Sequence, residues 1–82
     1  VGKRYRYDLE NQIVGYALQT DRYRYIEYQR TVTEQVVARE LYDHYEDPTE
    51  NHNVAQKINY KSTVSKLSKI MREKIDDPKK TL

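Results

Sequence analysis

His44 and His52 stand eight residues apart, with Asp43, Glu46, Asp47 and Glu50 beside and between them. Imidazoles among carboxylates are the raw material of acid/base pairs and metal sites. Their spacing matches no recognised ligand pattern, so a polar loop is the expected reading. A hydroxyl nucleophile would have to be Ser62, Ser65 or Ser68, all in a helical pattern among lysines with no Gly-flanked turn to present an oxygen. Cys is absent, which removes a thiol nucleophile, a thiolate metal site and any disulfide framework. Gly2 and Gly15 are the only glycines, and neither begins a phosphate-cradling loop. No catalytic residue and no metal ligand is therefore assigned.

Arginine and tyrosine interleave twice, at Arg4–Tyr7 and Arg22–Tyr25. On a strand such residues could offer stacking rings and phosphate-binding guanidiniums to single-stranded nucleic acid. Strand alternation, however, sends Tyr23 and Tyr25 to one face and Arg22 and Arg24 to the other. Asp21 and Glu27 also offset part of the positive field. A half-buried tyrosine face is expected, with no nucleic acid as partner. Lys57, Lys61, Lys66, Lys69, Arg72 and Lys74 give the last segment a basic side. Without Phe or Trp anchors, a solvated helix face is expected, not a lipid-binding one.

The elements that must position these residues are bounded by size. Eighty-two residues make one domain at most, and a chain this short buries roughly 60–65% of the surface its unfolded form exposes. Val, Ile and Leu total 17 while Phe and Trp are absent, so the nine tyrosines must supply the large rings. Fifteen basic residues against 13 acidic ones leave +2, too balanced to imply a polyanion partner by itself. No stretch approaches the roughly 20 apolar residues needed to cross a bilayer, and no membrane partner is expected.

Residues 1–12 read as an arm or edge strand. Apolar and β-branched residues over 13–20, period-two alternation over 22–30 and the run 36–42 predict three consecutive strands. Thr20-Asp21 marks a turn in which Asp21 would bond its own backbone. Pro48 fixes its own φ and biases Asp47 away from the helical region, so 43–53 is predicted as a turn. Val64, Leu67, Ile70, Met71 and Ile75 recur at helical steps and predict an amphipathic helix over about 60–75, with Asn59 as N-cap and 76–82 as a tail. The fold class is α+β: a small antiparallel meander of three to four strands with one C-terminal helix packed on it.

One stretch carries a longer pattern. Glu40-Leu41-Tyr42-Asp43, then Asp47-Pro48-Thr49-Glu50, then Asn53-Val54-Ala55 follow in order, preceded by Gly15-Tyr16 and by Tyr23-Arg24-Tyr25. This combination resembles the end of sulfatases, and in particular the iduronate-2-sulfatase-like branch. Val54 stands where the pattern has Leu, Gln19 where it has Arg, and Thr33-Glu34-Gln35 lacks a Gly often found before the third strand. The resemblance covers about 13–75 and implies a smaller C-terminal subdomain, a fragment docked on the parent's N-terminal catalytic domain and able to self-associate when cut from it. It implies a sulfuric ester hydrolase as parent, acting on a sulfated sugar or glycosaminoglycan, in a periplasmic, secreted or lysosomal setting. In that family formylglycine arises from a Cys/Ser-x-Pro-x-Arg motif and calcium is held in the large domain. Neither Pro48 nor Pro78 sits in such a motif, so both cofactors are expected in the parent, outside these residues. The loops at Asp21 and Thr31–Gln35 are candidates to wall a substrate cleft. A stand-alone interaction module and a single-strand nucleic-acid binder are the alternatives.

Overall fold

A computed structural model describes the backbone of residues 2–8 and, in full, residues 12–75. Val1, residues 9–11, the tail at 76–82 and the side chains of the first strand lie outside the described residues. Four antiparallel strands run in sequence order as a meander: β1 (Gly2–Asp8), β2 (Ile13–Gln19), β3 (Tyr23–Arg30) and β4 (Val36–Asp43). A single 3-10 turn, Ile58–Tyr60, leads into the helix α1 (Lys61–Ile75). The result is a two-layer α+β domain. The segment expected as an arm or edge strand holds β1, an edge strand beside β2.

Alternation decides which side chains meet the helix. Val14, Tyr16 and Leu18 of β2 stand opposite Gln29, Glu27 and Tyr25 of β3, and Tyr25 in turn stands opposite Leu41 of β4. Leu18, Tyr25, Leu41, Val54, Leu67 and Met71 form the buried cluster, with Tyr23, Tyr60 and Val64 packed against it. Each fully buried Leu or Met there contributes about 1.5–3 kcal/mol relative to exposure. Val54, the departure from Leu in the motif, lies inside this cluster. A smaller side chain at the same place keeps its role of covering the core.

Details of the turns differ from expectation. Thr20, not Asp21, organises the first: its Oγ1 accepts from the backbone N–H groups of Tyr23 at 2.9 Å and Arg22 at 3.3 Å. Asp21 is exposed. A hydroxyl on the preceding residue reaches both amides, so the Asp side chain is not needed. The 31–35 turn closes through Arg30 N–H to Gln35 C=O at 2.9 Å and Glu34 N–H to Arg30 C=O at 2.8 Å. It holds Glu34 at φ 60°, a left-handed conformation that Gly adopts without steric cost. This is the turn in which the Gly of the sulfatase pattern is missing. Between Tyr28↔Ala38 and Gln29↔Val36 the register shifts, leaving Val37 as the extra residue of a bulge. Asn59 does not cap α1, because the chain is already in a 3-10 turn at Ile58–Tyr60 and α1 continues from it at Lys61.

Candidate functional site

The motif residues converge at one end of the sheet, where β4 stops and the chain turns toward the helix. Asp43, the last residue of β4, is 1% exposed. Arg22 grips it with both ends of its guanidinium, Nε to Oδ1 at 2.9 Å and Nη2 to Oδ2 at 2.8 Å. The Tyr60 hydroxyl donates to Oδ2 at 2.6 Å and the backbone N–H of Tyr45 to Oδ1 at 3.1 Å. Arg22 is itself held between rings, with Cζ 5.1 Å from the Tyr23 centroid and 4.8 Å from that of Tyr45. Hydrogen bonds from Arg22 hold the Asp43 carboxyl well below the usual carboxylate range, against the opposing effect of desolvation, and Asp43 raises the Arg22 and Tyr60 pKa values in return. One carboxylate thus ties β4, the β2–β3 turn and the start of the helical segment together.

On the sheet face away from α1, Glu50 makes a second tie. Its Oε1 accepts from Arg24 Nη1 at 2.8 Å, and its Oε2 lies 2.7 Å from His44 Nε2. Glu50 holds φ 57°, so the backbone of this turn is bent into a left-handed conformation to bring the carboxylate over β3. Nearby on the same face Glu40 accepts from the hydroxyls of Tyr28, at 2.6 Å, and Tyr42. The bond to Glu40 is the main cause that pushes the Tyr42 hydroxyl up to about 12.

Asp47, Pro48 and Asn53 shape the turn between these ties. The Glu50 N–H bonds the Asp47 carbonyl at 3.1 Å, while the Asp47 carboxylate accepts from the backbone of Asn51 at 3.0 Å and His52 at 2.9 Å. Those two amides lower the Asp47 pKa. Pro48 is exposed at the bend. Asn53 imitates a strand: its Oδ1 accepts from Leu41 N–H at 2.9 Å and its Nδ2 donates to Arg39 C=O at 3.1 Å. Of the remaining motif positions, Gly15 is buried in β2 opposite Tyr28, Tyr16 and Tyr23 are half-buried against the core, and Tyr25 is within it.

His44 and His52 are not brought into one cluster. His44 faces Glu50, whereas His52 is exposed and contributes its backbone amide to Asp47. Among the described residues no group of three or more His, Cys, Asp or Glu could hold a metal ion. With no Cys, the chain holds no formylglycine precursor of the Cys type. Among the described residues no helix is long and apolar enough to cross a membrane. The tyrosines of the Arg-Tyr run are committed to packing: Tyr25 is 0% exposed and Tyr23 lies against the core.

Sequence reasoning missed a second buried carboxylate, Glu27, which is 0% exposed beneath α1. Its Oε2 accepts from Tyr25 OH at 2.6 Å and Ser68 Oγ at 2.7 Å, and its Oε1 from Gln29 Nε2 at 2.9 Å. Ser68, set in a helical pattern among lysines, is half-buried and faces this carboxylate. The signal was present in the period-two positions of β3, where Tyr23, Tyr25, Glu27 and Gln29 all point the same way. A polar residue in the middle of that series must be buried with them.

The class so defined is a two-layer α+β domain whose sheet end is clasped by its own motif residues. The chain matches the family model for the C-terminal domain of N-sulphoglucosamine sulphohydrolase over residues 3–77, and it belongs to that family of sulfatase C-terminal domains. No curated protein and no solved structure matches the chain.

Proposed function

We propose that this chain is the C-terminal subdomain of a sulfatase of the iduronate-2-sulfatase-like branch, that it supports the catalytic domain, and that it carries no catalysis itself. The observation behind this reading is the use of the motif side chains. Asp43, Glu50 and Asn53 spend their hydrogen bonds on Arg22, Tyr60, Arg24, His44, Arg39 and Leu41. They hold strand ends and a turn; of the three only Asp43 borders an opening, of about 590 Å³ beside Arg22, Asp47 and Tyr60, and there its oxygens are already taken up. Formylglycine and calcium then belong to the catalytic domain of the parent, which hydrolyses a sulfate ester on a sulfated sugar or glycosaminoglycan.

The two loops proposed to wall a substrate cleft lie at opposite ends of the sheet. β3 separates Asp21 from Thr31–Gln35 by eight residues, or about 25 Å at the usual strand rise. At most one of them borders any single cleft, and the Asp21 end, next to the clasp, is the better candidate. The test is made on the intact natural product that contains this chain. A Cys/Ser-x-Pro-x-Arg motif upstream of Val1 and release of inorganic sulfate from a sulfated sugar are expected. An intact product with neither motif nor sulfate release overturns the reading.

A further inference from the structure

The crevice between β4 and α1 is unlike the rest of the surface. It encloses about 710 Å³ and is lined by Arg39, Lys61, Ser65, Ser68, Lys69 and Arg72, with Val64 and Glu73 completing the walls. Four cations meet one exposed carboxylate there. Among the described residues, no carboxylate lies within ion-pair distance of Arg39, Lys61 or Lys69, and Arg72 reaches only the buried Glu27, at 3.7 Å. Arg39 is held in place from below, its Nε donating to Tyr25 OH at 3.0 Å. The chain's near-neutral balance hides this concentration, because Arg39 comes from a strand and the lysines from the helix.

A second opening of about 300 Å³ shares Arg39, Lys61 and Val64 with the first and continues along Val36, Val37 and Ala38. It follows the outer edge of β4. Further along that edge, Asn53 and Val54 already act as a short extra strand, bonding Arg39 C=O, Leu41 N–H and Leu41 C=O. Beside Val36–Ala38, among the described residues, no other segment supplies such bonds. Val37 is 40% exposed there. A strand edge left open among the described residues, apolar walls and four cations facing one exposed carboxylate together match an extended peptide with acidic side chains: main-chain bonds give affinity, and the cations select charge. A bare oxyanion would leave the valines unused. A nucleic-acid strand would find no aromatic ring in the lining.

We propose that this crevice docks an acidic, extended segment of the catalytic domain in the same polypeptide, added beside β4 at Val36–Ala38 with its carboxylates facing Arg39, Lys61, Lys69 and Arg72. The proposal rests on the reading of this chain as a sulfatase subdomain. The lysines span eight positions of α1, roughly 12 Å at the helical rise, enough to meet alternate side chains of a short strand.

The test uses the intact protein. Zero-length carbodiimide cross-linking followed by peptide mapping is expected to join Lys61 or Lys69 to an Asp or Glu of the catalytic domain. Amide exchange at Val36–Arg39 is expected to be slow, and to speed up at least tenfold in K61E/K69E but not in K66E/K74E, which makes the same change in net charge elsewhere on α1. Equal acceleration in both variants would leave only a net-charge effect and overturns the proposal. So do fast exchange in the unaltered protein, which means that the cations merely guard an open edge, and protection that appears only when a sulfated oligosaccharide is added. An intact product lacking a catalytic domain defeats the subdomain reading; one that has the domain but gives no cross-link defeats this inference alone.

Discussion

Asp43 and Glu27 are both carboxylates hidden from water, at 1% and 0% exposure, yet they are kept in opposite ways. Asp43 sits at the end of the sheet among donors that cannot reverse: the Arg22 guanidinium and the Tyr45 backbone N–H account for three of its four bonds. Glu27 sits under the helix among hydroxyls and an amide: Tyr25, Ser68 and Gln29. A hydroxyl can turn from donor to acceptor, whereas a guanidinium has no acceptor to offer. The clasp therefore depends on a charge, and the network beneath α1 depends only on polar shape.

Neutralising each carboxylate isosterically breaks the comparison most directly. In D43N one side of the new amide must point N–H groups at Arg22, and the guanidinium loses its counter-charge. A loss of about 1–3 kcal/mol is expected, because Asp43 is buried while Arg22 keeps 39% of its side chain exposed and can turn to water, read from the denaturant midpoint. In E27Q the oxygen can stay at Oε2 and accept from Tyr25 and Ser68, while the amide NH2 takes the place of Oε1 and Gln29 turns its own amide to accept from it. The expected cost is about 1 kcal/mol, that of rearranging neutral hydrogen bonds. Equal losses in the two variants would mean that Glu27 also depends on its charge, with Arg72 as the partner that matters.

Acid titration sharpens the same contrast. The folded Asp43 pKa is depressed, so its contribution to stability is complete above the unfolded value of about 3.9 and is lost as pH falls below it toward the folded value. Melting temperature is expected to drop below about pH 4 in the parent chain and to be flatter over that range in D43N. A D43N profile that keeps the full acid slope assigns the effect to other carboxylates.

The two regions were also unequally legible in the sequence. The clasp lies on the motif itself: Asp43 ends β4, Asp47-Pro48 make the bend, and Asn53 bonds the backbone of β4. What could not be read was pairing, because Arg22 meets Asp43 across 21 positions and Arg24 meets Glu50 across 26. Glu27 was legible through strand phase alone, not through polarity. Its neighbours Tyr25 and Ile26 are both buried although they point to opposite faces, so polarity along β3 does not report exposure. The crevice was illegible, because its cations belong to two elements far apart in sequence. The missing Gly of the 31–35 turn, by contrast, was visible as a gap, and Glu34 at φ 60° now shows what fills it. Glu34→Gly is expected to stabilise the chain by up to about 1 kcal/mol, from relief of the left-handed strain less the added freedom of the unfolded chain. A lowered midpoint would mean that the Glu34 side chain contributes something the turn geometry does not.

The smallest effect should come from Arg72, and it tests both the comparison and the crevice. Among the described residues Arg72 is the one cation within ion-pair distance of Glu27, but its side chain is 47% exposed and its Nη2 stands 3.7 Å from Oε1. At that distance, with water at one side, the pair is screened and contributes at most about 0.5–1 kcal/mol. R72Q should therefore move the midpoint little, and raising the ionic strength should shrink what difference there is. In the intact protein the same substitution should still quicken amide exchange at Val36–Arg39, because it removes one of four cations from the crevice. If R72Q instead destabilised as much as D43N, the contrast between the two carboxylates would fail. Glu27 would then be a second ion-paired clasp, and Arg72 would be committed to the core in place of a docked partner.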